Sequence, residues 1–132
     1  MIGLDSSVLI RYFARDDHTQ GLHATRLIQH ELTAERPGFV SLVALAETVW
    51  VLRSRYRASR DDVITACEAL LTAPNVVMQD ADAVWLALDH CQTAGVGVAD
   101  ALIGAIGRHH GCSHSVTFDA RAVRIPEMKL LG

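Results

Sequence analysis

The chain has 132 residues, half of them hydrophobic, with 12 Lys+Arg against 15 Asp+Glu. That length supports one domain with a real core, residues 1–132, and not two, and no apolar run approaches the ~20 residues a membrane span needs. A net charge of −3 argues against a non-specific nucleic-acid binder, which is usually basic, and three scattered cysteines (Cys67, Cys91, Cys112) without a C-x-x-C pair suit a reducing, cytoplasmic setting rather than a disulfide framework.

The opening Met1-Ile2-Gly3-Leu4 reads as a short buried strand that stops at Asp5. No basic stretch precedes it, so no signal peptide is expected. Ser6 or Ser7 then caps a helix running to about Ala14, with Val8, Leu9, Tyr12 and Phe13 on its apolar face. An acid beyond the carboxyl end of a strand stands where open parallel sheets bind ligands; a mere helix cap is the competing reading of Asp5. A second helix is expected from about His18 to Ala34, ended by Pro37-Gly38, and Phe39-Val40 as a short strand.

From Ser41 to about Arg57 the pattern predicts a long helix. Val43, Glu47, Trp50 and Ser54 share one of its faces, which puts Glu47 on an apolar stripe and at least partly out of water. The competing reading rotates the helix and leaves Glu47 at its edge beside an arginine. Arg53, Arg55, Arg57 and Arg60 surround Tyr56, as solvated charges or as phosphate contacts. Ser59 with Asp62 at the third helical position starts the next helix, which Pro74 ends; Asn75 to Met78 is a strand candidate.

Asp80 caps a helix to about Ala94 with Val84, Leu88 and Cys91 in phase. The helix that opens at Val98 is almost wholly apolar or small, so it belongs at the centre of the fold, and Asp100 is its one charge before Arg108. Gly104 and Gly107 cost that helix stability, which calls for close packing or ligand approach there. Ser113 to Phe118 is a strand ending at Asp119, Ala120 to Val123 a helical turn, and Met128 to Leu131 an edge strand. His109-His110-Gly111-Cys112-Ser113-His114 invites a zinc reading, but its spacing is too tight for the usual ligand pairs and no second pair appears; histidines at a helix C-terminus are the simpler account. Trp50 and Trp85 read as core or interface residues.

Strands alternating with helices predict an α/β fold, a three-layer α/β/α sandwich around a short, mainly parallel sheet. Asp5, Glu47, Asp100 and Asp119 stand out. Four carboxylates brought together repel one another, and a hard divalent ion relieves that cost while activating water against a phosphodiester.

With those residues in view, the sequence resembles the PIN domain family, and within it the VapC-type toxins of toxin–antitoxin pairs. Leu4-Asp5-Ser6-Ser7-Val8-Leu9 is similar to the family's first motif, Ala46-Glu47 with Val49-Trp50-Val51-Leu52 to the second, Asp100-Ala101-Leu102-Ile103 to the third and Thr117-Phe118-Asp119 to the fourth. The resemblance implies an endoribonuclease dependent on Mg²⁺ or Mn²⁺ that hydrolyses single-stranded or looped RNA. Asp5, Glu47, Asp100 and Asp119 would ligate the metal and position water, with Ser6 and Thr117 holding the site or contacting phosphate. It further implies a homodimer and a small VapB-type antitoxin partner. Two positions depart from the pattern: Gly97 and Arg121 stand where many relatives carry further acids, which bears on accessory ligands and on the number of metal ions. A haloacid-dehalogenase-type phosphotransferase would need an acid at the position of Ser7. The rival from another class is a PIN-fold module that binds RNA or protein without cutting.

Overall fold

The computed structural model describes residues 1–132, which divide into two compact units, Met1–Gln79 and Asp80–Gly132. The first contains β1 (Ile2–Gly3), α1 (Ser6–Ala14), α2 (His18–Arg26), β2 (Gly38–Val40), α3 (Leu42–Ser54), α4 (Arg60–Thr72) and β3 (Val76–Met78). Its strands form one parallel sheet in the order β1-β2-β3, with Ile2 opposite Gly38 and Gly38 opposite Val76. Parallel neighbours need helical crossovers, and α1 to α4 supply them.

The core of this unit holds Leu9, Val40, Leu45, Val63 and Cys67, all nearly or fully buried. β1 is less buried than its sequence suggests: Ile2 and Gly3 are exposed, and Leu4 just beyond them is the buried anchor. The second helix also departs from its predicted span. It is α-helical only to Arg26, then widens into a π-turn over Leu27–Glu31. Asn75 accounts for the early stop, since its amide donates to the Ile28 and Leu32 carbonyls at 2.6 and 3.3 Å. A side chain thus satisfies carbonyls that another helical turn would otherwise have taken.

α4 begins as its sequence prescribes. Ser59 accepts from the Asp62 backbone and Asp62 accepts from the Ser59 backbone, a reciprocal capping box. α3 does not lie as its pattern suggested. Ala44, Leu45, Thr48, Val49, Val51 and Leu52 form its buried face, whereas Val43, Glu47, Trp50 and Ser54 point outward. The helix is rotated as in the competing reading, although no arginine forms an ion pair with Glu47: Glu47 is exposed, and Trp50, 67% exposed, is no core residue. A helix apolar nearly all round offers no unique face to periodicity.

The second unit contains α5 (Ala81–Ala94), α6 (Val98–His109), β4 (Ser115–Thr117) and β5 (Met128–Leu130), with a 3₁₀ turn at Ala122–Arg124. β4 and β5 pair in parallel, so pairing is parallel in both units, as the α/β class predicts. Val84, Ala87, Cys91, Ala101, Ala105 and Ile125 build its core. The glycines of α6 have the packing role their cost implied. A Cβ on Gly104 would sit 3.2 Å from Glu127 Cβ, and one on Gly107 would sit 2.8 Å from Ser115 Oγ. No disulfide joins the cysteines, and no helix is long and apolar enough to cross a membrane.

Glu127 is the buried charge of this unit. His90 Nε2 lies 3.1 Å from its Oε1, and Arg108 Nη1 donates to the same oxygen at 3.2 Å. Oε2 is equally near His90 but has no hydrogen bond. Burial pushes the Glu127 carboxyl up; the bonds from His90, its own backbone and Arg108 outweigh that and leave it below its ordinary value. A depressed carboxyl stabilises the fold at every pH above its unfolded value and loses that contribution as pH falls through the folded one. Glu127→Gln should therefore melt a few degrees below the native chain at neutral pH, and the gap should close on the acid side of the normal glutamate range. Melts recorded across that range check it; a constant gap would rule the carboxylate out as the cause.

Candidate active site

Asp5 follows β1 and occupies the N-cap of α1 itself, in place of Ser6 or Ser7. Its Oδ2 accepts from the Ser7 backbone at 3.1 Å and from the Ser7 hydroxyl at 2.5 Å. Those bonds, the hydroxyl's first and then the backbone's, hold the carboxyl below its ordinary value, so Asp5 is ionised wherever the protein works near neutrality. Ser6, the first residue of the helix, is turned inward and buried. Asp5 is thus both a cap and an ionised acid at a strand end.

α3 brings Glu47 to the same place. Asp5, Ser6, Ser7, Glu47, Trp50 and Arg55 are among the residues lining one cavity of about 420 Å³ in the first unit. Arg11 and Tyr56, which also line it, belong to a polar network that sequence reasoning missed. Tyr56 donates to Asp16 at 2.6 Å, and Arg11 donates to Asp16 at 2.9 Å and to the Tyr56 oxygen at 3.2 Å. The Tyr56 hydroxyl first, then the Arg11 charge, keeps Asp16 below its ordinary value. Tyr56 lies 45 residues from Arg11 and 40 from Asp16, too far for any local pattern to reveal the three together. Of the arginine cluster, Arg55 lines the cavity, whereas Arg53 donates to the Ala58 carbonyl at 2.8 Å and holds the chain past α3.

The other two acids belong to the second unit. Asp100 lies in the first turn of α6, half-buried. Thr117 ends β4 and its hydroxyl accepts from the Asp119 backbone at 3.0 Å, which turns the chain so that Asp119 stands just beyond the strand. Asp119 Oδ1 in turn accepts from the Arg121 backbone at 2.9 Å, with the Arg121 guanidinium at 3.7 Å. A cation therefore sits beside Asp119 at a position where an additional acid would have strengthened a metal site.

The donors that line the first-unit cavity fit a hard divalent ion. They are carboxylate and hydroxyl oxygens, with no thiolate or imidazole among them. The family model for the PIN domain matches residues 2–128, which takes in all four acids. None of the curated proteins matches the chain.

Proposed function

Because the chain belongs to the PIN domain family, whose members are generally nucleases, we propose that it is a metal-dependent endoribonuclease and the toxin of a toxin–antitoxin pair. The observation that carries this reading is the cavity that Asp5 and Glu47 share, with Asp5 already ionised and arginine at its wall. Asp5 and Glu47 would hold Mg²⁺ or Mn²⁺ in this cavity, and Asp100 and Asp119 are the further ligands that the family's motifs imply. When bound, such an ion supplies a water of lowered pKa and stabilises charge on the phosphodiester.

The chain's own residues do the rest. Ser7 keeps Asp5 aimed and charged through its two bonds. Thr117 fixes the turn that presents Asp119. Arg55 offers a cation to the RNA backbone, and the exposed Trp50 offers a ring on which an unstacked base can lie. The charge of Arg121 beside Asp119 disfavours a second cation there, so one ion is the stoichiometry we assign. The outward Val43 and Trp50 of α3 suit cover by a small antitoxin or a second copy of the chain, the homodimer the family suggests.

Incubation of the purified chain with single-stranded and looped RNA is the direct test. Cleavage should appear with Mg²⁺ or Mn²⁺ and stop on addition of a chelator. RNA bound but left intact at every metal tested would put the non-cutting binding module ahead.

A further inference from the structure

Outside the four acids, the structure brings an acidic partner to the histidine run. That partner is Asp80. It takes the N-cap position of α5 with φ 48° and ψ 47°, in the left-handed region, and its side chain makes no capping bond. A left-handed non-glycine residue costs free energy, and a cap position left unused forgoes more. Both costs go with a carboxylate aimed at the end of α6 instead. Asp80 Oδ2 lies 2.7 Å from His110 Nε2, and Oδ1 lies 3.7 Å from His109 Nε2. The two rings stand edge to face, 79° apart, so neighbouring residues direct both Nε2 atoms at one carboxylate. One donor atom from each of the three residues lies within 4.8 Å of the others.

We propose that Asp80, His109 and His110 form a binding site for Zn²⁺ or a similar borderline transition ion. Two imidazoles and one carboxylate select such ions over Mg²⁺, which prefers oxygen throughout. Bonds of about 2.0–2.2 Å would draw the three donor atoms to roughly 3.3 Å from one another. Rotation of the two histidines, whose side chains are 41% and 62% exposed, brings them to Asp80, whose side chain is 19% exposed and already lies 2.7 Å from His110. Three protein ligands leave a fourth position for water on the solvent side. The ion would take the place of the proton shared by His110 and Asp80, and would tie the end of α6 to the start of α5. The site uses none of the four acids, so it stands or falls apart from the nuclease reading.

Titration of the untagged full chain with Zn²⁺, under excess Mg²⁺ to occupy oxygen-only sites, tests the proposal. One equivalent should bind, and the same chain should give a visible d–d spectrum with Co²⁺. Asp80→Asn and His110→Gln should each weaken binding at least about 100-fold. Asparagine tolerates the left-handed conformation, so Asp80→Asn should keep its metal-free melt and a loss of binding there is not a folding failure. Zinc bound equally by Asp80→Asn would reduce the site to a surface histidine pair and overturn it, as would no uptake at micromolar free ion.

Discussion

Asp5→Asn is expected to lower Mg²⁺-dependent RNA cleavage by about 10²–10⁴-fold, the range of a group that positions or activates the attacking water, while leaving the melting temperature nearly where it was. The two halves of that result come from the two jobs of one side chain. Asparagine is as good an N-cap as aspartate, and its oxygen still accepts from the Ser7 backbone N–H. What it lacks is the charge that Ser7 holds in place. Asp5→Ala should lose both cleavage and some stability. Rates on a looped RNA, read beside melts of the three proteins, separate the roles. An Asp5→Asn protein that cuts at the native rate would reduce Asp5 to a helix cap and remove the main support of the nuclease reading.

Leu45→Ala should cost about 2–5 kcal/mol, a fall in Tm of roughly 10–20 °C for a chain of this size. Leu45 is 1% exposed on the inner face of α3. Val43→Ala, two residues away at 78% exposure, should change stability by no more than about 0.5 kcal/mol. The contrast fixes the rotation of α3 and, with it, which way Glu47 points. Were Val43 the costly position and Leu45 the silent one, Glu47 would face inward and the shared cavity would not exist. Chemical unfolding of both variants decides it.

Much of the framework could be read from the residues because its signals are local. α1 spans Ser6–Ala14 as predicted, since the apolar spacing begins where a short polar break allows a cap. Ser59 and Asp62 announced a helix start three residues apart. Gly104 and Gly107 announced close packing. The ends of elements at which Asp5, Asp100 and Asp119 stand were legible for the same reason.

What stayed hidden depended on distance or on symmetry. α3 is apolar on nearly every side, so no periodicity could choose its buried face, and the stripe of Glu47 and Trp50, expected to be partly buried, faces out. The bonds of Tyr56 with Arg11 and Asp16 join residues that only the fold makes neighbours. Asp80 reads as an ordinary cap until its backbone is seen to be left-handed and its carboxylate turned to His110. Glu127 carries no sign of burial in its surroundings, because Pro126 and Lys129 suggest a surface.

The register of the first sheet has a consequence in time. Ile2 pairs only with Gly38, and Gly38 only then with Val76, so neither link can close within a local hairpin. Each waits for a long stretch of chain and pays the entropy of closing it. Asp5 is synthesised well before Glu47, and both precede the Tyr56 that completes the wall around them. A ribosome paused anywhere short of Tyr56 holds a first acid with no cavity to serve. The last residue of the pocket still precedes α4 and β3, yet a growing chain carries its first acid long before it has a place to use it.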